Sequence, residues 1–176
     1  MTMRTSFLLV LSLIVASALA QVSTEPPKPE SEFKPGRAVT QPLPFSHKAH
    51  VALGVTCRDC HAIEEPGDFA GLPEASKCML CHVSMMTESP HIKQLTEWVA
   101  AGKEPSWNRV YQVEEFVYFS HQAHHVEAGV ACAECHGPTE QREVLFQERS
   151  VGMYACMQCH EKYDAPNDCE LCHDTH

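Results

Sequence analysis

The strongest constraint on this chain is its cysteines. All ten fall into five C-x-x-C-H runs. These are Cys57-Arg-Asp-Cys60-His61, Cys78-Met-Leu-Cys81-His82, Cys132-Ala-Glu-Cys135-His136, Cys156-Met-Gln-Cys159-His160 and Cys169-Glu-Leu-Cys172-His173. Cys at i and i+3 share one face of a helical turn, so both thiols can bond the two vinyl groups of one haem. The His at i+4 then coordinates the iron from the same side, which is the pattern of c-type haem attachment. A C-x-x-C pair alone would leave zinc and disulfides open. With twelve His in 176 residues, a His after all five pairs by chance has odds on the order of one in a million. The reading is five covalently bound c-type haems, with His61, His82, His136, His160 and His173 as proximal ligands.

The rest of the composition agrees. Once the first twenty residues and the Cys are set aside, only about a third of the chain is apolar, too little for an ordinary side-chain core. Something other than side chains must fill the interior. A large apolar enzyme core, a membrane bundle and a disulfide scaffold are all disfavoured. The formal net charge is −10, the wrong sign for a nucleic-acid partner.

Residues 1–20 read as a secretory signal. Arg4 supplies the positive end, Phe7 to Ala16 the apolar stretch, and Ala18-Leu19-Ala20 the small-residue cleavage site. The apolar run is short of the roughly 20 residues that span a bilayer, so cleavage and a periplasmic or other extracytoplasmic location are expected. Residues 21–44 hold six of the twelve Pro and read as a flexible tether.

Electron-transfer haems usually carry a second axial ligand, His or Met. Four of the seven remaining His lie in a duplicated element. Phe45-Ser-His47-Lys-Ala-His50 precedes Cys57, and Phe119-Ser-His121-Gln-Ala-His124-His125 precedes Cys132. His at i and i+3 share a helix face, so one short helix can offer imidazoles to two irons. The second copy is one residue longer. His124 repeats the spacing from the first His, His125 the spacing to the Cys, and either can be the second ligand.

These motifs resemble the class III multihaem cytochromes c, especially their compact three-haem members. There an F-x-H-x-x-H element ligates the first haem through its first His and the next haem through its second. The resemblance implies pairs His47–His61, His50–His82, His121–His136 and His124–His160. It also implies a two-haem module over 45–88 and a three-haem module over 119–176, with a linker helix and extended segment over 89–118 between them. In the three-haem family the last haem takes its distal ligand from just before the middle motif. Here that stretch is Ser150-Val-Gly-Met153-Tyr-Ala-Cys156, so Met153 is the candidate, with His125, His91 and His176 as alternatives. An open fifth site also remains. The pattern is further similar to the five-haem subunits of quinone-linked oxidoreductases such as alternative complex III, through Cys78 to His82, Trp107 to Tyr111, Phe116 to His121 and Cys135-His-Gly137.

Between the modules, Ser89, Pro90 and Gly102 bracket a helix over 89–101. Its apolar stripe is Ile92, Leu95, Trp98 and Val99. His91 is expected to face solvent. Trp107, Tyr111, Phe116 and Tyr118 are positioned to cover haem edges, and Arg109 to pair with a propionate. The expected fold is mostly α with much irregular loop, two tandem haem modules and little or no sheet. The expected role is an electron carrier or relay rather than an enzyme. Its partners would be redox proteins, either a quinol-oxidising complex or a terminal reductase, with peripheral association to a membrane complex left open. Two alternatives stand: a subunit of an extracellular cytochrome filament, and a multihaem reductase with one open haem.

Overall fold

The computed structural model describes residues 33–64, 67 and 69–174. The signal segment, the first part of the Pro-rich stretch and His176 lie outside the described residues.

Helical structure appears wherever a haem motif stands. In chain order the α-helices are α1 (His47–Val51), α2 (Cys57–Cys60), α3 (Ala75–His82), α4 (Pro90–Ala100), α5 (Cys132–His136), α6 (Met153–Lys162) and α7 (Cys169–Cys172). A π-helix, Gln122–Glu127, precedes α5, and a 3-10 turn, Thr139–Gln141, follows it. Among the described residues the one β feature is an isolated antiparallel bridge between Ile63 and Ala70. The protein is mostly helix and loop, in two tandem modules. No described helix is long and apolar enough to cross a membrane.

The side-chain core is small, as the composition requires. Among the described residues, the buried hydrophobics are Leu43, Ala75 and Leu95, with Cys78, Met79, Ile92, Trp98 and Trp107 packed against them. This cluster sits where α4 meets α3. The Glu104 carboxylate accepts a 2.6 Å bond from the Ala75 amide, satisfying one of the free N–H groups at the start of α3 and placing negative charge at its positive end. Helix α4 starts after Ser89 with Pro90 in its first turn, and Gly102 follows its end at φ +63°. Leu95 is 3% exposed. Val99, at the edge of the expected stripe, instead faces solvent, as does His91.

The second half of the Pro-rich segment is not a free tether. Gly36 N–H donates to Gln147 O at 2.7 Å and Val39 N–H to Leu145 O at 3.2 Å. Gln41 and Asn108 exchange two bonds, Gln41 Nε2 to Asn108 O at 2.8 Å and Asn108 N–H to Gln41 Oε1 at 2.9 Å. Leu43 is buried. Proline keeps the chain extended, and an extended backbone can pair with another one along its length.

The modules are joined at two further places. Lys48 N–H donates to Arg142 O at 3.1 Å, while Glu143 receives the Ser46 hydroxyl at 2.5 Å and the Lys48 ammonium at 3.4 Å. On another side, His121 N–H donates to Gly67 O at 2.6 Å. A Cβ at Gly67 would sit 2.6 Å from Gln122 Cβ, and its φ is +84°, so this close approach requires glycine.

Candidate metal centres

Each Cys pair occupies one helical turn, with its His at the end of the turn or just past it. No disulfide joins any of the ten Cys. Among the described residues, no group of three or more His, Cys, Asp or Glu converges as a bare metal ion would need. The imidazoles instead come in facing pairs with a gap between them.

The His47 and His61 ring centroids lie 6.3 Å apart with planes 5° from parallel. His121 and His136 repeat this at 6.3 Å and 5°. His50 faces His82 at 6.3 Å and 64°, and His124 faces His160 at 5.9 Å and 39°. Two imidazoles bound on opposite sides of one metal at about 2.0–2.1 Å each place their centroids about 6–6.5 Å apart. These gaps therefore admit one iron and the plane of a porphyrin.

The duplication extends to the supports. Phe45 stacks on His50 at 4.3 Å and meets His47 edge-on at 4.9 Å. Phe119 stacks on His124 at 4.8 Å and meets His121 edge-on at 4.8 Å. Ser46 Oγ accepts from Ala49 N–H at 3.0 Å, and Ser120 Oγ from Ala123 N–H at 3.2 Å. These contacts start both helices at the same point relative to the His pair.

The extra residue of the second copy is absorbed by the π-helix, where Ala128 N–H reaches back to Ala123 O at 3.0 Å. One inserted residue widens the turn without shifting what precedes it. His124 keeps the environment of His50, and each Nδ1 sits 2.8 Å from the carbonyl four residues back, Ser120 and Ser46. His125 points elsewhere, its Nδ1 2.8 Å from Val130 O.

The same arrangement recurs on the motif side. His61 Nδ1 lies 2.8 Å from Gly71 O, His160 Nδ1 2.5 Å from Pro166 O, and His82 and His173 Nδ1 3.2 Å from Met85 O and Asp174 O. A carbonyl holds the proton on Nδ1, which leaves the Nε2 lone pair for a metal. Burial, then the neighbouring His61 and His50, pushes the His47 pKa down to about 4. Burial, then His121 and His61, lowers that of His136. Both shifts favour the neutral ring, the form in which imidazole binds metal.

Met153 opens α6 three residues before Cys156 and is 54% exposed. Met153 and Cys156, at i and i+3, share one face of α6. Tyr118 N–H donates to Cys172 O at 2.6 Å. Tyr111 covers His136 edge-on at 4.6 Å and donates its hydroxyl to His136 O at 3.1 Å, while Glu148 N–H donates to that hydroxyl at 2.8 Å. Arg109 lies over the Phe69 ring at 4.6 Å. Gly137 ends α5 at φ +69°, where a Cβ would meet Glu148 at 3.1 Å. Sequence reasoning missed Gly67 and the Glu148–Arg142 pair at 2.6 and 2.8 Å, since no local spacing marks them.

Comparison with known families gives two matches. The family described as cytochrome c7 and related cytochrome c matches residues 117–174. The class III cytochrome C family matches residues 20–104. The chain is also 32% identical, over 164 aligned residues covering 76% of each chain, to the "Menaquinone reductase, multiheme cytochrome c subunit" of Nitratidesulfovibrio vulgaris strain Hildenborough.

Proposed function

On the premise that this chain belongs to the multihaem cytochromes c, we propose that it is an exported five-haem relay. It would carry electrons between a quinone-linked redox complex and a further redox protein. Haem, when bound, supplies a one-electron couple at its iron. The chain contributes attachment at Cys57, Cys60, Cys78, Cys81, Cys132, Cys135, Cys156, Cys159, Cys169 and Cys172. It contributes proximal imidazoles at His61, His82, His136, His160 and His173. His47, His50, His121 and His124 are the distal ligands, and Met153 is the candidate for the fifth, with His125, His91 and His176 as alternatives.

The observation that carries this reading is the set of four His pairs at 5.9–6.3 Å, each built on a C-x-x-C-H turn. A pair filled on both sides leaves no position for a substrate, so these four sites suit electron transfer. The link to quinol chemistry rests on the relative, which is named a menaquinone reductase subunit. Spectra of the purified holo-protein test it. Five low-spin irons that bind no added carbon monoxide are expected. A high-spin iron that binds it would contradict the relay and favour a reductase with one open haem.

A further inference from the structure

The sites do not meet in the order in which the chain attaches them. Helix α1 carries both His47 and His50, which face His61 and His82. The first two sites are therefore neighbours. The second module repeats this. His121 and His124 face His136 and His160. Asn167 Nδ2 donates to Met157 O at 3.0 Å, which ties the approach to the fifth motif to the helix of the fourth.

The junction between modules is made by the first site, not the second. Ser46 and Lys48, the residues that flank His47, bond Glu143 and Arg142 of the loop that follows His136. The bond from His121 N–H to Gly67 O, at 2.6 Å, ties the second module's distal segment to the loop that follows His61. The second site is turned away. Its helix α3 packs on α4, and Leu80, Val83 and Met86 around it face solvent.

We propose that the five sites form one unbranched path in the order His82, His61, His136, His160, His173. Its central step crosses from module to module between the His61 and His136 sites, and its two ends are at His82 and His173. The inference rests on the five-haem reading above. Each step oxidises one ferrous iron and reduces its ferric neighbour, and no bond is made or broken. The electron enters from a one-electron protein donor at one end and leaves to an acceptor at the other.

The test uses the full holo-protein. Its mass first counts the haems. Stepwise reduction followed by NMR of assigned haem methyls then gives the redox interaction between each pair of sites. Coulomb interaction falls with distance, so the His61–His136 interaction should be at least about twice that of His82–His136. An interaction between the His82 and His136 sites equal to or larger than that between His61 and His136 overturns the order. A mass short of five haems overturns the five-haem reading itself, and the path with it.

Discussion

The imidazoles of His121 and His136 face each other at 6.3 Å and 5° from parallel, the same values as His47 and His61 in the other module. Two segments of different length thus reach one geometry. The common elements are the Phe that packs on both distal His and the Ser that starts the helix.

Removing one ring of a pair should open one iron only. His47→Ala and His121→Ala each leave one proximal imidazole without its facing partner. Each variant is expected to gain a single high-spin iron per chain that binds carbon monoxide, with the other sites unchanged in EPR spectra.

His124→Ala and His125→Ala separate the two adjacent His of the π-helix. His124 faces His160 at 5.9 Å, whereas His125 is held against Val130 O. His124→Ala is expected to convert the His160 site to high spin. His125→Ala is expected to leave that site low-spin.

Met153 is the candidate thioether ligand of the fifth site, and His/Met ligation raises a haem potential relative to His/His. Met153→His is expected to lower the potential of one haem in a redox titration and leave the others in place. An unchanged titration would turn attention to His125, His91 and His176.

Gly67→Ala places a Cβ 2.6 Å from Gln122 Cβ at a left-handed φ. The clash and the strain should cost about 1–3 kcal/mol each, read as a lower thermal midpoint of the holo-protein. Gly54→Ala shares the positive φ but meets nothing within 4 Å. It should cost less.

Three carboxyls titrate below their ordinary values. Asp59 is held down by hydrogen bonds from Thr56, Glu143 by those from Ser46 and Lys48, and Glu148 by those from Arg142. The unfolded chain takes up these protons at higher pH than the folded one, so it binds more protons through the acid range. Stability should therefore be fully present at neutral pH and fall as pH drops through about 4. Urea midpoints at pH 6 and pH 3.5 check this. Glu148→Gln should flatten part of the difference.

The haem turns, the duplicated distal element and the boundaries of α4 were legible in the sequence because each is local. Cys at i and i+3, His at i and i+3, and Ser89-Pro90 to Gly102 state their geometry within a dozen residues. The docked half of the Pro-rich segment was not, because Gly36, Val39 and Gln41 find partners more than sixty residues away. Composition alone reads such a stretch as free chain. The π-helix was visible only as an ambiguity between His124 and His125, since an inserted residue says nothing about which turn will widen. The docking of the two modules through Gly67 and Glu143 joins residues far apart in the chain, and no spacing encodes it.

The central claim is that five haems, covalently held, replace a side-chain core that consists here of little more than Leu43, Ala75 and Leu95. Intact mass of the denatured protein, isolated from an extracytoplasmic fraction, tests it most directly, because thioether-bound haem survives unfolding. The expected mass is that of the chain without its first twenty residues plus five haems. A chain carrying fewer haems, or none with the ten thiols free, would contradict it.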